Sequence, residues 1–274
     1  KRDDDVTLYV NTSIAPTLDT VRTSLPQATL VTGTRGTGLK TIATDLACQA
    51  TVIEQVEPTL LTKTSTIPVI GIEAIRSLYA RTRSKSASPS VVIVDDADRM
   101  TREAQNSFLK LLEEPSSAIH FILTSHRPEL LLPTVRSRVQ TLHIPRISSE
   151  DSKRLIESLG PVDPTKLRQL LFIAEGLPAE ITRLLSSETY FDATVKTVSL
   201  AKKLIESSSY ERMQHIFGTK SDKVELLEIL HRSVELLAKS PTEHSLRMID
   251  RLFDAETAIS QNGNARLHLI NAVI

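Results

Sequence analysis

A glycine-rich turn between an apolar run and a helical pattern is the first place where this sequence could do chemistry. Residues 28–43 read ATLVTGTRGTGLKTIA. Gly33 and Gly38 have the spacing of the phosphate-binding loop G-x-x-x-x-G-K-[ST], whose lysine neutralises the β- and γ-phosphates and whose hydroxyl binds Mg²⁺. Leu39 stands at the lysine position and Lys40 at the hydroxyl position. We therefore predict a loop that keeps its turn but has lost hydrolysis.

The residues of this vestigial nucleotide loop are Gly33, Gly36, Gly38, Lys40 and Thr41. Exposed backbone N–H groups and a helix N-terminus attract anions even without the motif lysine. No cofactor is expected to be required, and weak binding of ATP or ADP through the loop backbone and Lys40 stays open.

Carboxylates follow a second apolar run, VVIVDDAD, at 91–98. In phosphoryl-transfer ATPases the first such carboxylate helps to hold Mg²⁺ and the next orients the attacking water. Asp95 suits the first role, but Asp96 is one methylene shorter than the usual glutamate, and a misplacement of ~1 Å can cost on the order of a hundredfold in rate. Asp98 is equally well explained as a cap of the next helix. Together with Leu39, these acids predict a chain that is no enzyme by itself.

The elements around these motifs alternate between strand and helix. One helical pattern runs from Thr101, a suitable cap, to Glu114, where Pro115 ends it. Alternating strands and helices predict an α/β fold with a parallel sheet. The predicted strands are 28–32, 91–94, 119–123 and 139–144.

After Pro145 the pattern becomes helical, with breaks at Gly160-Pro161, Asp163-Pro164 and Gly176-Leu177-Pro178. We predict an α/β domain at 1–147, a small helical domain at 148–188 and an all-α domain at 189–274. A helix in the last domain is predicted to bury Val224, Leu227, Leu230, Val234 and Leu237.

Composition limits the classes of function. Lys+Arg and Asp+Glu number 33 each and aromatic residues make up 4%. A free-standing nucleic-acid binder with a basic stripe or stacked rings is therefore disfavoured. Cys48 is the only cysteine, which excludes an internal disulfide and a cysteine zinc site. No apolar stretch is long enough for a membrane span and no signal peptide is visible, so a soluble, cytoplasmic protein is expected.

Several stretches resemble the AAA+ clamp loaders of bacterial replication. These are VVIVDDADRMTREAQNSFLKLLEEP, IHFILTSHRPELLLPTVRSRVQTL, IPVIGIEAIRSLY and, at the end of the chain, ISQNGNARLHLINAVI. The resemblance is highly specific over about residues 25–145, less specific over the last fifteen, and weak between them. It implies a P-loop-type sheet domain, a helical lid and a helical collar.

The resemblance also implies roles for single residues. Asp95 and Asp96 would be the Walker B acids, Thr124 the sensor 1 residue, and Arg138 an arginine finger that reaches a neighbouring subunit's nucleotide. The sensor 2 arginine would fall at Ala179, and its loss together with Leu39 points to the delta-prime type rather than the motor type. A cysteine zinc module usual in the family is missing.

The function implied is a stator that does not hydrolyse ATP and that helps to load a sliding clamp on primed DNA. The implied partners are gamma/tau-like ATPase subunits, a delta-like subunit, the clamp and primer–template DNA, with no membrane. The alternative is an active gamma/tau-like ATPase subunit. The basic segment from Arg81 to Ser90 is predicted to be a surface loop, and a DNA contact there stays open.

Overall fold

Five parallel strands form one sheet in the first part of the chain, which confirms the predicted α/β class. Their order is β2-β3-β4-β1-β5. The computed structural model describes residues 8–48, 52–60, 68–82, 90–114, 119–218, 223–260 and 263–273. The strands are β1 (Ala28–Gly33), β2 (Val52–Val56), β3 (Ser90–Val94), β4 (Ile119–Ser125) and β5 (Gln140–Ile144).

The chain divides into two compact units, Lys1–Thr182 and Arg183–Ile274, which are called here the N-terminal and C-terminal units. The three-domain division expected from the sequence stays a prediction. The helices are α1 (Ala15–Thr23), α2 (Leu39–Leu46), α3 (Ile72–Thr82), α4 (Arg102–Glu113), α5 (Pro133–Arg136), α6 (Ser149–Leu159), α7 (Pro164–Ala174), α8 (Pro178–Ser186), α9 (Glu188–Glu206), α10 (Ser209–Gly218), α11 (Lys223–Ala238), α12 (Glu243–Ser260) and α13 (Ala265–Val273).

Helices cover both faces of the sheet because successive side chains of each buried strand point to opposite sides. Leu30 packs in the same cluster as Phe108 of α4, whereas Val31 packs with Ile42 of α2. The ring of Phe108 meets Phe121 edge to face, with centroids 5.4 Å apart. The sheet is therefore packed on both faces, so residues at the carboxyl ends of its strands are held in fixed positions.

Side-chain caps set where several helices of the N-terminal unit begin. Thr101 accepts a hydrogen bond from the Ala104 N–H at 3.2 Å, as predicted for α4. Asp163 accepts from the N–H groups of Thr165 and Lys166, at 2.8 and 3.0 Å, ahead of a proline at the first position of α7. These caps satisfy N–H groups that lack partners inside the helix.

The C-terminal unit is helical, and the predicted apolar face of α11 is partly wrong. Leu230 and Leu237 are buried, but Val224 is 68% exposed. The helix carries apolar residues around much of its circumference, so its sequence fits more than one face. The residues of α11 that are buried are Leu226, Ile229, Leu230, Ser233 and Leu237. Among the described helices, none is long and apolar enough to cross a membrane.

Candidate functional site

The carboxyl ends of β3 and β4 bring three of the predicted site residues together. The Thr124 hydroxyl donates a hydrogen bond to Asp95 Oδ1 at 2.7 Å and accepts one from the Asp96 N–H at 2.9 Å. Because β3 and β4 are parallel neighbours, their carboxyl ends meet at one edge of the sheet, where ligands of α/β folds bind. The hydroxyl of Thr124 thus orients the first acid and the backbone of the second.

The Asp96 carboxylate lies close to an arginine and a histidine side chain. Its Oδ2 lies 3.3 Å from Arg99 Nε, and its Oδ1 lies 3.9 Å from His126 Nε2. Its backbone has φ 48°, a left-handed conformation that is unusual for a residue other than glycine.

Asp98 does not cap the next helix, so that interpretation is wrong. Its Oδ1 accepts hydrogen bonds from Ser125 Oγ at 2.8 Å and from the His126 N–H at 3.3 Å. Thr101 provides the cap of α4 instead. Asp98 fixes the chain where β4 ends.

The glycine loop connects β1 to α2 and needs glycine at two of its positions. Gly36 and Gly38 have φ values of 93° and 81°, which side chains rarely allow. A Cβ atom at Gly36 would also lie 3.2 Å from the Cβ of Leu177. The turn of a phosphate loop is therefore present in this structure.

The two residues after Gly38 do not supply the groups that Mg²⁺ and the phosphates take in the motif. Leu39 is 2% exposed and belongs to the core on the α2 side of the sheet. Lys40 Nζ lies 2.5 Å from Glu57 Oε1 and 3.8 Å from Asp95 Oδ2. The hydrogen bond that Lys40 donates to Glu57 raises the pKa of its ammonium, with further help from the charges of Asp95 and Asp96. A buried leucine cannot neutralise phosphate, and an ammonium cannot ligate Mg²⁺.

A cavity of 560 Å³ opens beside the loop within the N-terminal unit. Thr41 and Ala179 lie in its wall, and the Ala179 N–H donates to the Gly36 carbonyl at 2.9 Å. An alanine stands here where the resemblance places the sensor 2 arginine. The wall is formed by Leu8, Tyr9, Thr37, Gly38, Thr41, Leu155, Ser158, Leu159, Pro178, Ala179 and Thr182.

Arg138 lies just beyond α5, with contacts on α4 and α5. Its Nη2 is 2.8 Å from Glu113 Oε1, and its Nη1 donates to the Thr134 carbonyl at 3.0 Å. Its side chain is 39% exposed. The guanidinium is thus oriented by two contacts but open to solvent.

Gln105 holds the segment in front of Arg138, and the sequence analysis missed it. The side chain is 4% exposed. It donates to the carbonyls of Met100 and Leu130, at 3.2 and 3.3 Å, and accepts from the Leu132 N–H at 2.7 Å. A glutamine on the apolar face of a predicted helix was the available signal, since buried polar groups are nearly always bonded.

Glu57 was not predicted from the sequence because strand β2, which it follows, was not predicted either. VIEQV has neither a continuous apolar run nor a strict alternation, although β2 pairs with β3 along its whole length. Since Glu57 follows directly after β2, it reaches the same edge of the sheet as Asp95.

The predicted surface loop from Arg81 to Ser90 lies mostly outside the described residues, which resume at Ser90. Arg81 itself is in the last turn of α3, and its Nη1 lies 3.5 Å from Glu54 Oε2. Among the residues that the structure does describe, no group of three or more histidine, cysteine, aspartate or glutamate side chains is placed to hold a metal ion.

The parallel sheet of order β2-β3-β4-β1-β5, with a glycine loop after β1 and acids after β3, has the AAA+ type of α/β fold. Solved structures share this fold. A gamma subunit-related DNA polymerase III protein from Thermotoga maritima superposes with a TM-score of 0.54, at 19% identity, over 93% of this chain and 97% of that one. A RuvB variant from Thermotoga maritima gives 0.52, at 16% identity, over 92% of this chain and 81% of the other.

Comparison with known sequences shows similarity to the subunits of clamp loaders. The family described as DNA polymerase III, delta subunit, matches residues 47–148. DNA polymerase III subunit delta' of Yersinia pestis is 31% identical over 44% of this chain and 38% of its own length. The Bacillus subtilis subunit of the same name is 31% identical over 53% of this chain and 42% of its own length. A replication factor C small subunit from Aeropyrum pernix is 28% identical over 48% of this chain and 45% of its own.

These matches agree with the resemblance: over about half of its length, the chain is similar to delta-prime clamp-loader subunits. It spans about two fifths of the length of the curated relatives it matches. The family match begins at residue 47 and therefore does not include the glycine loop.

Proposed function

We propose that this chain works as a delta-prime-like subunit of a DNA polymerase III clamp loader, and that it does not hydrolyse ATP itself. The main observation in support of the proposal concerns Leu39 and Lys40, the two residues that follow Gly38. Leu39 is 2% exposed in the core and Lys40 is bonded to Glu57, so neither acts as the lysine or the hydroxyl of a working loop. The chain then requires no nucleotide, and any ATP or ADP is held weakly.

The active contribution in this proposal is Arg138. Its guanidinium is held by Glu113 and Thr134 yet is 39% exposed, which suits a group that serves a neighbouring subunit. An arginine supplied in trans stabilises the charge that develops on the γ-phosphate and can be worth ~10³–10⁵ in rate. The partners would be gamma/tau-like ATPase subunits, a delta-like subunit, the clamp and primed DNA, in the cytoplasm.

The test is clamp loading by the complete assembly containing Arg138→Ala. We expect DNA-stimulated ATP turnover and clamp loading to fall, while the assembly still forms, because the Arg138–Glu113 pair is a surface contact that adds little to stability. Arg136→Ala is the matched control, since Arg136 is exposed in the same segment. Wild-type turnover with Arg138→Ala would contradict the role in trans.

An active gamma/tau-like ATPase is the second candidate, favoured by the positive φ values of Gly36 and Gly38, which keep the turn of a phosphate loop. Equilibrium binding of labelled ATP to the chain alone separates the two. Binding at millimolar concentration or weaker supports the subunit without hydrolysis. Micromolar binding that needs Mg²⁺ would instead support the ATPase.

A further inference from the structure

The ammonium of Lys40 is already occupied by the protein's own carboxylates. Its Nζ contacts Glu57 Oε1 at 2.5 Å and lies 3.8 Å from Asp95 Oδ2. Glu57 is placed there by the sheet, because β2 and β3 are parallel neighbours and the Asp95 N–H donates to the Val56 carbonyl at 2.9 Å. The residue that follows β2 therefore faces the loop.

The charged groups that contact the Lys40 ammonium are carboxylates. Asp96 pairs with Arg99, so Lys40 stands against two carboxylates, Glu57 and Asp95. Leu39 and Ala179 occupy the positions at which the motif lysine and the sensor 2 arginine would add positive charge. A polyphosphate at Lys40 would have to compete with Glu57 and Asp95 for the ammonium, although the exposed Arg35 of the same loop adds a positive charge.

We propose that Glu57 is an internal counter-ion that takes the place of a phosphate on Lys40 and thereby sets the low affinity of the loop for nucleotide. The inference rests on the proposed function, in which the loop binds nucleotide weakly, and it names the residue responsible. The raised pKa of Lys40, caused first by its hydrogen bond to Glu57, agrees with a strongly engaged ammonium.

The Lys40–Glu57 ion pair can be tested by substitution because it lies at the surface. Both side chains are 48% exposed. Exposed ion pairs add little to stability, so their replacement should leave the fold intact. Glu73 offers a matched control, since it forms an exposed pair with Arg76 at 2.7 Å on α3, on no element that carries the loop.

The experiment measures binding of labelled ATP, and of inorganic tripolyphosphate, to the full chain by calorimetry. We expect Glu57→Gln to tighten both about tenfold, the order that loss of one unit charge several ångströms from the phosphates produces in a partly solvated site. Glu73→Gln should change neither. Lys40→Ala added to Glu57→Gln should cancel the gain, and urea midpoints should show that every variant is folded.

Equal affinity in Glu57→Gln and wild type, including no detectable binding to either, would overturn the inference. A gain that survives Lys40→Ala would overturn it as well. Failure of the proposed function looks different: micromolar, Mg²⁺-dependent binding by the wild-type chain would refute a subunit without hydrolysis, whatever Glu57→Gln then does.

Discussion

Replacing Gln105 tests how the segment that carries Arg138 is held in position. The side chain satisfies two carbonyl groups and one N–H group in a site that is 4% exposed. Gln105→Met keeps the length of the side chain but removes all three bonds. A buried backbone group left without a partner costs about 1–3 kcal/mol. Because the Leu130 carbonyl is in a less buried residue, we expect a total of about 2–4 kcal/mol.

Urea unfolding followed by far-UV circular dichroism measures this cost. For a slope of about 1–3 kcal/mol per M, a cost of about 2–4 kcal/mol should lower the midpoint by roughly 0.7–4 M. Gln140→Met is the control, since Gln140 is exposed on β5 and should change stability by no more than about 0.5 kcal/mol.

Gln105→Glu adds a dependence on pH with a defined sign. An ionised glutamate would face the carbonyls of Met100 and Leu130, so burial and these oxygens should raise its folded pKa above the unfolded value of about 4.3. The folded state then binds more protons, and stability falls as pH rises above about 4.3. The variant should be nearest to wild type at pH 4 and furthest from it at pH 7. A Gln105→Met midpoint equal to wild type, or a Gln105→Glu difference that does not change with pH, would refute this account.

Two further predictions concern the loop and the helices behind it. Leu39→Ala should cost about 2–5 kcal/mol, since Leu39 is 2% exposed in the core, whereas Leu39→Met should cost less than about 1.5 kcal/mol; urea midpoints that rank the two equally would contradict the packing role. The N–H groups of Lys166 and Thr165 lower the pKa of Asp163. Its cap therefore stabilises α7 above about pH 4 and is lost as pH falls through the lowered folded pKa. Asp163→Ala should converge with wild type only in acid, and Asp163→Asn, which caps without titrating, should remove that trend in the pH dependence of unfolding.

The strands and the start of α4 could be predicted from the sequence because their signals are local. Apolar β-branched runs match β1, β3, β4 and β5, and Thr101 caps α4 as expected. The edge strand β2 needs its neighbour β3 for recognition, because its own five residues mix apolar and polar types. The failure at Val224 has a similar origin, since the packing of α11 within its unit, and not the helix pattern alone, selects the buried face.

The candidate site could be predicted only in part for the same physical reason. Asp95 and Asp96 follow from a strand end and Thr124 from the resemblance, and the structure brings the three into hydrogen-bonding contact. Partners such as Glu57 for Lys40 and Glu113 for Arg138 are separated along the chain by whole elements. No local pattern specifies such a pair, since it depends on how the elements are placed in the fold.

The hydrogen bond from the Ala179 amide to the Gly36 carbonyl makes hydrogen exchange at Ala179 a measure of local opening. An amide proton held in this way exchanges with deuterated water only when its bond opens, and the rate reports the free energy of that opening. Ala179 belongs to α8 and Gly36 to the glycine loop. The exchange rate at Ala179 therefore reports how often α8 separates from the loop. Mass spectrometry can therefore follow this opening without any chemical label.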